Sequence, residues 1–283
     1  MINKLDWGES IKIPSSRSLR NTPHLIGGKY PCRSIAIVPR MILSQLYSKR
    51  IIRVLDPFMG SGTTAVEAAM LNFIPYGLEV DPYAKLISEV SVHGYNQHEL
   101  NVINKIYGII LNSYKTHQPD ASLAPKTNNI EYWFDEDNFY NLLKLKSLII
   151  QECGKNINVK RFFLVILADI IRAASKAERQ SLKPYISNKY KKKKNNVIDL
   201  FNKTFSNYLN AIHLLADNWS NTTINWLQGD ATNFTTNIKM DIAITSPPYI
   251  NAMDYIRCIK LESAWIGTGD DIIFSNVRKF QLG

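Results

Sequence analysis

Residues 51–67 read IIRVLDPFMGSGTTAVE. The apolar run from Ile51 ends in the acid Asp56, Gly60 and Gly62 supply a turn, and Thr63 opens an Ala-rich helical pattern. Strand, glycine loop and helix in that order make the first half of a ligand-binding βαβ unit. Glycines let the backbone turn sharply and come close to a bound molecule, and a helix start offers free N–H groups. Two familiar ligands are disfavoured. A phosphate-binding P-loop needs a lysine after its last glycine, whereas Thr63-Thr64 follows Gly62, and the third glycine of a dinucleotide loop is missing.

Downstream, Ile74 to Val80 reads as a second buried strand closing on Glu79, with Asp81 just beyond. An acid at that position, roughly twenty residues past the loop, is where such folds bond ribose hydroxyls. Asp81 precedes Pro82 and suits equally well the cap of a helix from Tyr83 to Val90. From about residue 96 to 225 the pattern turns helical, with stripes around 99–114, 135–151, 159–177 and 197–215. The α/β pattern then returns: a strand from Ile224 running into Gly229-Asp230-Ala231, and a fourth strand from Asp241 to Thr245. Ser246-Pro247-Pro248-Tyr249 therefore sits at a strand's C-terminal end, the edge on which open α/β sheets bind ligands.

Asp-Pro-Phe-x-Gly-Ser-Gly-Thr at 56–63 resembles the cofactor loop of S-adenosylmethionine-dependent amino-methyltransferases of DNA, and Thr245 to Tyr249 resembles the catalytic tetrapeptide of the cytosine-N4 members of that family. The resemblance implies an α/β, Rossmann-like class I methyltransferase fold with a partial sheet and a helical insertion. It makes Asp56, Phe58, Gly60, Gly62, Thr63, Glu79, Asp230 and Ala231 cofactor contacts, with Asp230 facing the adenine amine and both glycines keeping the cofactor's path clear of a side chain. Ser246, Pro247, Pro248 and Tyr249 become the catalytic set. HLIGGKYPCRSIAIVPRMI at 24–42 is similar to the segment that packs a helix beside the cofactor's methionine end. The implied domain plan is residues 1–95 as the first part of the methyltransferase domain, 96–223 as the insertion, and 224–283 as its continuation.

The chemistry agrees with that implication. An exocyclic base amine is a poor nucleophile because its lone pair is delocalised into the ring. Ser246 Oγ and the Pro247 carbonyl can accept its two hydrogens and draw the nitrogen toward pyramidal geometry. Two successive prolines hold carbonyl acceptors without competing N–H groups, and Tyr249 offers a face for stacking on a flipped base. Neither a metal nor a covalent intermediate is required. The chemistry suits either base amine; the resemblance implies cytosine N4 from Ser at 246, with adenine N6 and RNA guanine N2, both usually accompanied by Asp or Asn in that place, as the alternatives within enzymes.

Composition sets the frame. The chain of 283 residues is 45% apolar, enough for a sizeable core, and its formal charge is +10. Between Arg172 and Lys194 lie Arg172, Lys176, Arg179, Lys183, Lys189 and Lys191 to Lys194 against the one acid Glu178. Such a patch is the footprint of a nucleic-acid partner, so Lys189, Lys191, Lys192, Lys193 and Lys194 are candidate contacts to double-stranded DNA. Cys32, Cys153 and Cys258 are far apart, with no CxxC pair, which indicates neither a disulfide framework nor a metal site. Cys32 follows a proline as in cytosine-C5 enzymes, but it precedes the glycine loop where theirs follows it. No long apolar run or signal-like N-terminus occurs, which points to a cytoplasmic protein without a membrane segment. The resemblance runs from about His24 to Gly267 and leaves little chain for the further strands of a complete fold. A split or truncated enzyme of a restriction-modification system, completed by a second polypeptide, is therefore expected, with an inactive DNA-binding or assembly subunit as the contrasting class.

Overall fold

The structure, a computed structural model, describes residues 22–46, 51–178, 181–189, 192–216, 222–247 and 254–280. They form two compact units: the first draws on Met1–Ile26, Cys32–Tyr95 and Leu209–Pro248, the second on Gly27–Pro31, Asn96–Tyr208 and Tyr249–Gly283.

The first unit is mixed α/β. In chain order it holds α1 (Ile37–Gln45), β1 (Arg53–Asp56), α2 (Thr63–Met70), β2 (Ile74–Gly77) and α3 (Pro82–Val92). The rest of the chain supplies α4 (Gln97–Ser113), α5 (Glu136–Cys153), α6 (Ile157–Ala174), α7 (Val197–Ala216), the short strands β3 (Asn225–Trp226), β4 (Gly229–Asp230), β5 (Asn233–Phe234) and β6 (Ile242–Ala243), then α8 (Tyr255–Ile266) and α9 (Asp271–Phe280). The sheet is parallel throughout, in the order β3-β2-β1-β6, with Val54 opposite Pro75 on one side and Ile242 on the other. Strand order reverses beside β1, which makes the gap between the ends of β1 and β6 a topological switch point.

Side-chain alternation along β1 explains why both faces of the sheet are covered. Ile52 and Val54 pack with Leu43, Ala68 and Phe73 under α1 and α2, while Leu55 points the other way, to Tyr76 and Leu78 with Leu227, Phe234 and Met240 beside them. α2 carries small residues because it lies tight on the sheet: Ala65, Val66, Ala68 and Ala69 are all buried. α3 begins where Asp81 accepts the backbone N–H of Tyr83 at 2.9 Å and Pro82 fills the first turn, so Asp81 is a cap.

The second unit is helical. α4 opens on a reciprocal capping box between Asn96 and Glu99, and α6 on Asn156, whose side chain accepts from Val159 N at 3.2 Å. Phe162, Phe163, Phe201 and Phe205 form its aromatic centre, with Tyr107 stacked on Phe205 at 3.7 Å between ring centroids.

One strand ends earlier than its sequence suggests. The run from Ile224 leaves the sheet after Trp226, with Leu227 N still bonded to Gly77 O at 3.0 Å, and Gly229-Asp230 belongs instead to an antiparallel hairpin of β4 and β5. Gly229 opens that hairpin with a φ of +102°, which residues carrying a Cβ rarely adopt, and its missing Cβ leaves room for the Asn233 carbonyl.

Candidate cofactor and base site

Every loop at the carboxyl end of the sheet carries a residue singled out by sequence. Asp56 closes β1 and is buried; its Oδ1 accepts from Phe58 N at 3.1 Å and from Thr245 Oγ1 at 2.7 Å. Burial pushes the Asp56 carboxyl above its ordinary value, and hydrogen bonds from Thr245, Thr64 and Phe58 oppose that shift. Thr245 immediately precedes Ser246, so this bond ties the glycine-loop strand to the strand of the tetrapeptide. Ser246 and Pro247 are exposed just beyond it. Pro248 and Tyr249 lie outside the described residues.

The loop itself is held by its own backbone. Met59 N donates to Leu78 O at 3.1 Å, and Gly62 N to Met59 O at 3.0 Å, before α2 starts with the buried Thr63. Gly60 N then donates to Glu79 Oε2 at 2.6 Å, and Asp81 N to Glu79 Oε1 at 2.8 Å. Glu79, expected to face ribose hydroxyls, thus sits against the turn of the glycine loop. Its burial, reinforced by the charge of Asp81, pushes its carboxyl up to about 7.

The two glycines differ. Gly60 has φ +52° and a Cβ there would meet nothing within 4 Å, so this side faces open space. Gly62 has φ +84° and its Cβ would come 2.6 Å from Ser88 Cβ and 3.0 Å from Ser88 Cα on α3. Gly62 is required for the close approach of α2 and α3, whereas Gly60 is not held to glycine by any neighbouring atom. Gly77 on β2 is a close-contact glycine missed by sequence reasoning: a Cβ there would displace the flexible Met59 methyl and come 3.3 Å from the Asp56 carbonyl. The only sequence signal was a glycine inside the strand pattern IPYG.

Asp230 is in the hairpin turn. Its Oδ1 accepts from Thr232 N at 2.7 Å, Thr232 Oγ1 at 2.5 Å and Asn233 N at 3.2 Å, and the Thr232 bonds hold its carboxyl below the ordinary range. One carboxylate oxygen is thus used to shape the turn. Ala231 follows it, half-buried.

A buried ionic group braces α2 from behind. Glu67, 1% exposed, accepts from His24 Nε2 at 2.5 Å and from Arg40 Nε and Nη2 at 2.8 Å each. Burial alone would raise the Glu67 carboxyl, yet His24 and Arg40 together hold it below its ordinary value. Arg40 comes from α1, so the group fixes α1 and the turn at Pro23–Leu25 to the helix that follows the glycine loop.

The basic run looks different in three dimensions from its sequence. Lys192 Nζ donates to the carbonyls of Arg172 (2.6 Å), Ser175 (2.8 Å) and Ala177 (2.6 Å), where it caps the C-terminal end of α6. Its ammonium thus spends its three donors on carbonyls of the chain itself. Lys194 pairs with Asp137 at 2.6 Å, both exposed. Lys189 and Lys193 are exposed, and Lys191 lies outside the described residues. Cys153 and Cys258 are buried and Cys32 is exposed. No group of three or more metal-ligating side chains occurs among the described residues, and none of their helices is long and apolar enough to cross a membrane.

Comparison with known proteins finds two distant relatives. The chain is 25% identical over 248 residues to the type II methyltransferase M.MvaI of Kocuria varians, covering 79% of this chain and 53% of that protein. It is 31% identical over 104 residues to the type II methyltransferase M.MjaII of Methanocaldococcus jannaschii, covering 35% of this chain and 18% of that protein. The chain therefore spans about half the length of the first relative and less of the second. Neither a protein-family model nor a solved structure matches it.

Proposed function

We propose that the chain is a site-specific DNA methyltransferase, of the kind paired with a restriction enzyme, that acts on an exocyclic base amine, cytosine N4, in the cytoplasm. The observation that carries this reading is the 2.7 Å hydrogen bond from Thr245 to Asp56. Motifs 189 residues apart in sequence meet there, at the switch point of a parallel sheet. The similarity to two type II methyltransferases supports it independently, as does a class I, Rossmann-like reading of the strand order.

The residues present fit S-adenosylmethionine. Gly60 faces open space beside a carboxylate, Glu79, that has acceptor positions left after its two backbone bonds. Glu79 would hold ribose hydroxyls, the second oxygen of Asp230 with Ala231 the adenine, and Phe58 and Thr63 the loop side. Bound there, S-adenosylmethionine supplies a sulfonium-activated methyl group. Asp56 holds the ends of β1 and β6 together, so that Ser246 and Pro247 stand beside the glycine loop. Ser246 Oγ and the Pro247 carbonyl accept the two amine hydrogens and turn the nitrogen lone pair outward, Pro248 stiffens the segment, and Tyr249 stacks on the flipped base.

The test is mass spectrometry of nucleosides from DNA incubated with isotopically labelled S-adenosylmethionine and the protein, alone and together with a second methyltransferase polypeptide. N4-Methylcytosine is expected, with Ser246→Ala slowing its formation roughly thirty- to a thousand-fold through loss of about 2 to 4 kcal/mol of transition-state hydrogen bonding. N6-Methyladenine would keep the mechanism and overturn the base. A parent protein that neither binds the cofactor nor methylates DNA would overturn the reading.

A further inference from the structure

Two cations, Arg172 and Lys192, grip carbonyls in the described stretches near the end of α6 and at 181–182. Arg172, with 12% of its side chain exposed, donates from Nη1 to Ser181 O at 3.0 Å and Leu182 O at 2.8 Å, from Nη2 to Cys258 O, and from Nε to Glu262 Oε1 at 3.1 Å. Lys192 closes the other end on the carbonyls of α6. Between them Ser181 Oγ donates to Lys183 O at 2.7 Å and Glu178 N to Tyr185 O at 2.9 Å, which closes a tight turn over the buried Pro184.

What this turn displays is unusual for a surface loop. Leu182 and Tyr185 are each 51% exposed, with the exposed Lys183 between them and the exposed Lys189 and Lys193 further along. The Arg172 guanidinium, bonded to the carbonyls of Ser181 and Leu182, holds this display in place. Alternating lysine and flat or branched apolar groups matches a polyanion whose charged rails flank an apolar wall. Duplex DNA has that form: phosphates on the rails, sugars and base edges in the groove.

We propose that the turn Ser181–Tyr185, with Lys189 and Lys193, is a duplex-DNA contact in which the lysines meet phosphates while Leu182 and Tyr185 press into the adjoining groove. The choice of DNA over other polyanions rests on the methyltransferase reading; the rigid turn and what it exposes do not.

The test is anisotropy of a labelled duplex titrated with the full chain between about 50 and 200 mM salt. Lys183→Ala/Lys189→Ala/Lys193→Ala should make the dependence of log affinity on log salt shallower by about 0.9 per lost phosphate contact, roughly 2 to 3 in all. Leu182→Ala/Tyr185→Ala should weaken binding on the order of tenfold at unchanged slope, since apolar burial releases no counterions. All five side chains are exposed, so the unfolding midpoints should match the parent's. Unchanged affinity and slope in both variants would make the turn a bystander while leaving the methyltransferase reading intact. Cofactor binding without any duplex binding by the parent, or a larger effect of the variants on anionic phosphatidylserine vesicles than on DNA, would also overturn the proposal.

Discussion

Replacing Gly62 by alanine tests the local geometry of the glycine loop. The new methyl would lie 2.6 Å from Ser88 Cβ, and Ser88 is fully buried in α3, so neither partner can swing away. A left-handed φ of +84° costs a Cβ-bearing residue about 1 to 2 kcal/mol, and an extra methyl forced into a packed interface costs about 1 to 3 more. Gly62→Ala should therefore destabilise by about 2 to 5 kcal/mol. Ser88→Gly in the same chain removes the collided atom, and although glycine weakens a helix by about 1 kcal/mol, the double variant should recover part of the loss. Urea denaturation followed by circular dichroism measures all three proteins, and the cycle should give a coupling of about 1 to 3 kcal/mol. Strictly additive losses, or a Gly62→Ala midpoint equal to the parent's, would refute the claim that this glycine exists for helix contact.

Three further outcomes follow from the same geometry. Because the Glu79 carboxyl is raised to about 7, a ligand that needs its charged form should bind more tightly as pH rises from 6 to 8, up to tenfold per unit below 7. The unliganded fold should lose some stability between 4.5 and 7 over the same titration, and calorimetry with Glu79→Gln should flatten the binding profile. Thr245→Val, which keeps shape and deletes the donor to Asp56, should cost about 1 to 3 kcal/mol in chemical denaturation. Lys192→Met should cost about 1.5 to 3 kcal/mol by stripping three carbonyls at the end of α6, whereas the exposed Lys193→Met should be nearly neutral, as judged by their urea midpoints.

Much of this architecture is legible in the chain because its signals are local. An apolar run, two glycines and an Ala-rich pattern are enough to read β1, its loop and α2, and helical periodicity places α4 to α7 within about three residues of their ends. What is not legible depends on distant partners. Nothing around Gly62 announces Ser88, and Thr245 differs from any other threonine only through Asp56. A lysine run also reads as one solvated patch, although Lys192 turns inward to three carbonyls up to 20 residues away while Lys193 is exposed. Gly229-Asp230 reads as the close of a strand because a hairpin as short as β4–β5 leaves no periodic trace.

The most direct measurement of the central claim is calorimetric titration of S-adenosylmethionine into the parent and into Gly60→Leu. That substitution starts a side chain at a Cβ that meets nothing within 4 Å, without the branched Cβ that a left-handed φ tolerates least. Binding by the parent, lost in a variant whose unfolding free energy falls by only about 1 to 2 kcal/mol, is the predicted result. Equal binding by both proteins would contradict a cofactor site at the glycine loop.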